Sequence, residues 1–329
     1  MIRRLALLTL LLAACDRPDF DPPSVVAGPR VLAIVADRPE VAPGDEVRVR
    51  AMIAGVDGRD VELRWSMCVD TGPVSASDLF GGGAFNTTGE EQYGGDFADP
   101  GCEEGARFTT PLAIEDGAAV VPGTCADPTE PWRCTEGLAS IATGAPEAAP
   151  LLELGLPFVV NVDLWVDGEF ELRAYKRVAI TSRATPGTNP PRPRFAVGGV
   201  WLTSRGADDP FVCAPEGGER PVVAGVADVR LRPDPDDEAW RETFPVLTLD
   251  GTRITGEENA YYSWFADGGE LDPEVTVAPA RDAIWTTPEE RGIHALWVVV
   301  RDGHLGQSAC RVEVEVVDVV PPYGGIDRL

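Results

Sequence analysis

Lysine is almost missing from this chain: Lys176 is the only one among 28 basic residues, set against 54 acids and a net charge of −26. A phosphate-binding loop ending in Gly-Lys-Ser/Thr is therefore absent, and a surface this acidic repels nucleic acid and anionic lipid heads. Histidine is nearly as scarce, with His294 and His304 alone. No His-Glu-x-x-His run exists, and both histidines read as ordinary surface or turn residues. Gly-x-Ser-x-Gly and Gly-x-Gly-x-x-Gly are missing too, and Gly81-Gly82-Gly83 lacks the flanking strand and helix of a phosphate cradle. No Cys-x-x-Cys pair occurs, the nearest two cysteines being Cys125 and Cys134, which argues against zinc. Beyond the first residues no stretch approaches the length that spans a bilayer, and no segment carries a sustained helical apolar stripe.

What is plentiful is acid, glycine, proline and short apolar alternation. Acids could furnish the carboxylate pair of a glycosidase, but no pattern singles one out. Asp234, Asp236, Asp237 and Glu238 crowd four carboxylates into five positions, a weak possibility for calcium. The Asp-x-Asp-x-Asp-Gly loop is missing there, and Pro233 and Pro235 suit an exposed turn. Among the aromatics, Trp65, Trp165, Trp264 and Trp297 fall on strand patterns and read as core residues. Trp132 and Trp240 lie nearer loops, where an indole can stack on a sugar or anchor a protein, and are the candidate binding residues.

The chain opens with Arg3 and Arg4, an apolar run over 5–12, and Leu12-Ala13-Ala14-Cys15. This is the order of a secretory signal, too short to span a membrane. Its end resembles the lipobox of bacterial lipoproteins. That resemblance implies cleavage before Cys15, a diacylglycerol on its sulfur and an acyl group such as palmitate on its new amino terminus. Two or three chains hold a protein stably on a membrane, at about 0.8 kcal/mol per buried methylene. The acidic, proline-rich residues 15–29 then read as a tether.

Removal of 1–14 leaves about 315 residues, enough for two domains at roughly 150 each. Residues 46–53 alternate, with Val47, Val49, Ala51 and Ile53 on one face and Arg48, Arg50 and Met52 on the other. In 61–68, Val61, Leu63, Trp65 and Met67 share a face. Regularity lapses over 69–150, which reads as an insertion pinned by disulfides, with a short strand at 118–121 and a helical turn near 135–142. Strands return at 158–166 and 169–181 around Asp167-Gly168, a hairpin dipeptide. Residues 184–194 hold four prolines in eleven positions and mark a stiff boundary. The second half opens with a strand over 195–202 and ends in a hairpin around Asp302-Gly303, where Cys310, Val312, Val314 and Val316 share a face. Residues 319–329 read as a tail.

Many short strands with glycine and proline turns predict an all-β fold with two β-sandwich domains in tandem, over 30–183 and 195–318. Leu63-Arg64-Trp65-Ser66 and Tyr262-Ser263-Trp264-Phe265 echo each other. A tryptophan on a central strand resembles the immunoglobulin-like domains of bacterial surface proteins. More narrowly, Tyr262-Ser263-Trp264-Phe265 with the run from Leu296 to Gly303 resembles lipoproteins of myxobacteria and their relatives.

Once Cys15 is lipidated, six cysteines remain and suggest three disulfides. Cys213 and Cys310, the only two in the second half, are expected to pair. In the first half, short loop closure favours Cys68 with Cys102 and Cys125 with Cys134. The nested scheme, Cys68 with Cys134 around Cys102 with Cys125, stays open. The expected function is a non-catalytic, lipid-anchored envelope protein that presents loops to a protein or glycan. The rival is a structural part of an envelope assembly, and the distant third is an enzyme.

Overall fold

The computed structural model describes residues 23–42, 44–68, 110–121, 149–204, 209–234, 240–247, 252–277 and 279–318. The first sandwich faces two sheets against each other. One runs β1 (Arg30–Ala36), β3 (Val47–Ala54), β7 (Ala118–Val121), β6 (Ala113–Glu115). The other runs β2 (Glu40–Val41), β9 (Glu169–Ile180), β8 (Leu156–Val166), β4 (Val61–Cys68), β5 (Thr110–Pro111). The expected insertion over 69–150 therefore divides. Residues 110–121 are three strands of the sandwich, and Ala149–Leu154 form a short helix, α1, that leads into β8. The short strand expected at 118–121 is β7, whereas β5 and β6, of two and three residues, are too short to show a period of two.

The second sandwich pairs a sheet of β12 (Cys213–Pro215), β11 (Val200–Ser204), β10 (Phe195–Val197), β14 (Asp228–Pro233), β20 (Ala283–Thr286) and β18 (Glu270–Asp272) with a second sheet. That one runs β13 (Val222–Ala224), β22 (Gln307–Val317), β21 (Gly292–Arg301), β17 (Tyr261–Ala266), β19 (Val275–Val277). The expected single strand over 195–202 is instead the hairpin of β10 and β11, turned at Gly198 and Gly199, both with positive φ. A further hairpin, β15 (Thr243–Leu247) with β16 (Arg253–Glu257), stands apart from both sheets.

Both sandwiches follow one connection plan. The opening strand pairs with the next long strand, and a short early strand pairs in parallel with the last one: β2 on β9, and β13 on β22. This is the strand plan of immunoglobulin-like sandwiches, with the A, B and E strands on one sheet and C, F and G on the other. Trp65 and Trp264 occupy the C strand of each and are 6% and 1% exposed. Inward alternation does the rest. Val160, Val162, Leu164 and Val178 meet Val47 and Val49 in the first core, and Leu296, Val298, Cys310, Val312 and Trp285 meet Phe195 and Leu231 in the second.

A third apolar cluster joins the two. Leu32, Ala33, Met52 and Ala54 on the outer face of β1 and β3 pack against Phe265, Ala295, Trp297, Val299 and Ala309 on the outer face of β17, β21 and β22. The tandem is thus a stack of four sheets rather than beads on a string. The local cause is a bulge between Val31 and Ala33. It lets Leu32 and Ala33 both face the neighbour while Val31 and Ile34 keep to the core. Met52, expected on an outer face with the arginines, is that outer face's buried contact, at 3% exposure. Residues 23–29, expected as part of a tether, also belong here. Val26 donates its N–H to the Ala266 carbonyl at 2.8 Å, and its side chain sits in the seam.

Candidate functional site

Two regions concentrate chemistry: the sheet face that the stacking leaves free on the first sandwich, and the polar junction between the sandwiches.

The face outside the seam belongs to β4, β8 and β9, and it is itself buried at Val159 and Asn161, 1% and 2% exposed. Cross-strand register sets Glu62 beside Trp165 and Phe170, and Arg64 beside Asp163 and Arg173. Trp165 therefore points out of the core, contrary to the expectation from its strand pattern. A register shift between Leu164 and Trp165 accompanies it. Its ring meets Phe170 edge-on, with centroids 5.8 Å apart, and the Arg64 guanidinium lies 4.0 Å over it. The arginines are held by carboxylates: Arg64 to Glu62 at 2.7 Å, and Arg173 to Asp163 in a fork of 2.6 and 3.0 Å. Phe170 remains 52% exposed, and Arg177 stands 5.8 Å from the Tyr175 ring. Three aromatics are thus fixed on rigid strands among charge pairs.

The junction is built where β2, β9, the 184–194 connection and the last turn of the second sandwich meet. Glu40, 1% exposed, takes the Arg183 guanidinium and the Gly187 N–H. Asn189 donates to the Ala36 carbonyl at 2.7 Å and accepts the Gln307 N–H at 2.9 Å, so one amide ties both sandwiches to the connection. Lys176 donates to the Leu305 carbonyl. Glu258 receives the Glu242 N–H at 2.9 Å, and Asp302 receives that of His304 at 2.6 Å. The His304 ring stacks on Phe244 at 3.9 Å.

Burial decides the charges. It pushes the Glu258 carboxyl up to about 8, aided by the charge of Asp302, and the Asp302 carboxyl up to about 6. Glu40 is raised too, by burial, against the pull of Gly187 and Arg183. His304 is pushed down to about 4, first by burial and then by Arg183 and Lys176. Neither histidine is a plain surface residue. His294 is 8% exposed and bonds Asp267 at 3.0 Å and the Glu290 carbonyl at 3.0 Å.

Cys213 and Cys310 form the expected disulfide, with Cα atoms 5.6 Å apart, stapling the β11–β12 edge to the last strand. Trp240 is half-buried against the second core rather than displayed. Asp234 pairs with Arg194. Among the described residues no three His, Cys, Asp or Glu side chains gather as a metal site. Cys15, Cys102, Cys125, Cys134, Trp132, Asp236, Asp237, Glu238 and the helical turn near 135–142 lie outside the described residues, as does the side chain of Cys68. The sequence missed the junction because its members are single charged residues spread from position 40 to position 304, with no spacing in common.

No protein family and no curated protein matches the sequence. Among solved structures, the chain is similar to murine CEACAM1b at 9% identity, over 87% of this chain and 100% of that one, with a TM-score of 0.20. It is similar to the two tandem V-type regions of VCBP3, a v-region-containing chitin binding protein, at 12% identity over 87% and 99%, with a TM-score of 0.26. The D0-D1 domain of Intimin aligns at 8% identity over 87% and 98%, with a TM-score of 0.19. The immunoglobulin-like assignment rests on the strand order described above.

Proposed function

We propose that this chain is a lipid-anchored, non-catalytic protein of a bacterial cell envelope that binds a protein partner through the β4–β8–β9 face of its first sandwich. The observation that carries it is the stacking of the sandwiches. Each sandwich has two outer sheet faces, and the seam consumes one from each. Of the two that the seam does not cover, this one holds Trp165 and the exposed Phe170 among ion pairs. Aromatic and arginine side chains prefixed on strands give up little conformational freedom on binding and dominate protein interfaces. A glycan would need a bare ring face, and the Arg64 guanidinium already covers Trp165. Anchoring rests on the Leu12-Ala13-Ala14-Cys15 run. Among the described residues no helix is long and apolar enough to cross a membrane.

Two measurements test this. Mass spectrometry of the mature protein should find a diacylglyceryl Cys15 as its amino terminus, and an unmodified terminus elsewhere would overturn the anchor. Cross-linking on intact cells should capture a partner with the wild type and lose it with Phe170→Asp, while the melting temperature changes by no more than about 2 °C. Equal capture by both proteins would remove this face from the reading.

A further inference from the structure

The junction holds more carboxylate than it can neutralise. From the first sandwich Glu40 and Lys176 face it, from the connection Arg183, and from the second sandwich Glu242, Glu258, Asp302 and His304. Among the described residues, four carboxylates when fully ionised meet Arg183, Lys176 and a neutral imidazole. Glu258 is 3% exposed, and Asp302 and Glu40 are 1% exposed, so water screens them little. Glu40 Oε1 is buried with no hydrogen-bond partner, and the buried Asp302 carboxylate is met by the backbone N–H groups of His304 and Gly306. Glu40 Oε1 lies 3.9 Å from His304 Nε2, and Asp302 Oδ2 presses on Gly306, where an added Cβ would stand 2.0 Å away. A bound proton turns a carboxylate oxygen from an acceptor into a donor.

We propose that this junction is a pH-operated latch. With Glu258 and Asp302 protonated, Glu40 and Glu242 are matched by Arg183 and Lys176, and the sandwiches stay stacked. With both ionised, two uncompensated buried negative charges push the turn of the second sandwich away from β2 and β9. The seam then parts about the 184–194 connection while each sandwich stays folded on its own core. The two groups are poised for this, because burial sets them at about 8 and about 6. The sign follows from linkage. An acid raised in the folded state stabilises it fully below its unfolded value and loses that stabilisation as pH rises through the folded value. His304 works in the opposite sense, its contribution being lost as pH falls from its ordinary value through about 4. The latch is thus closed in mildly acidic surroundings and released as pH passes from about 6 to above 8.

Small-angle scattering and far-UV circular dichroism of residues 23–329, measured from about pH 5.5 to about pH 9, test the latch. The radius of gyration is expected to rise by about 15% at unchanged dichroism, from a stacked to an extended pair. The variant Glu258→Gln with Asp302→Asn, which copies the protonated state, is expected to stay compact at about pH 9. A wild-type radius that does not change with pH would overturn the latch, and this holds even if the variant does not accumulate. So would a variant that opens as the wild type does, or dichroism lost in step with expansion.

Discussion

At the scale of single residues, burial overrides type. Trp165 and Trp264 both sit on strands, yet one lies under an arginine on an outer face and the other is 1% exposed in a core. Residue type marked both as core, but alternation with Val162, Leu164 and Val166 sets Trp165 on the outer face of β8. Cys213 and Cys310 were readable because no other cysteine competes for them in their half. Replacing both by alanine closes no loop of 97 residues in the unfolded chain, and is expected to cost about 4 to 5 kcal/mol in the chain-entropy account. Urea unfolding of the two proteins measures it. Gly55 is the other decisive position: its φ is +72°, and a Cβ would stand 2.0 Å from the Gly28 carbonyl oxygen. Gly55→Ala is expected to displace residues 23–29 from the seam, which protease cleavage within them would reveal.

At the scale of elements, β1 shows how one bulge builds an interface. Its run of six apolar residues, Val31 to Ala36, suits a strand buried on both faces, and the sequence carried that signal. What it could not carry was the partner of the second face, which comes from strands more than two hundred positions away. Leu32→Ala should cost about 2 to 5 kcal/mol, since a fully buried leucine leaves a cavity. Its effect belongs to the seam, so hydrogen exchange should quicken along β1 and β21 before the two inner cores. By contrast, the Arg253–Glu153 pair between β16 and α1 is 54% and 55% exposed on its side chains. Arg253→Ala should therefore change stability by less than about 1 kcal/mol. Melting curves of the two variants separate these cases.

For the whole molecule, pH acts through the few ionisable groups that the stack buries. Glu258 and Asp302 are raised to about 8 and about 6, so the folded chain holds protons that the unfolded chain releases. Stability should fall as pH rises from about 5 to about 9, opposite to the usual behaviour of salt-bridged carboxylates. His304, depressed from its ordinary value to about 4, opposes part of this gain as pH falls through that value, because a depressed group stabilises only above its unfolded value. Denaturant midpoints should therefore be higher at about pH 5 than at about pH 8 or 9.

The sequence by itself determined the all-β class, both C-strand tryptophans, the closing hairpins and the Cys213–Cys310 staple. Each of these depends on local period, turn chemistry or a count of cysteines, and none needs a distant partner. Only the tertiary structure decided that the outer faces of β1 and β3 are covered and that residues 23–29 are part of the seam. It also decided that Glu40, Glu258, Asp302 and His304 share one buried space. The reason is physical. Alternation states which residues leave one side of a strand, but a face becomes buried only when another surface arrives, and a carboxylate changes its affinity for a proton only when that surface removes its water.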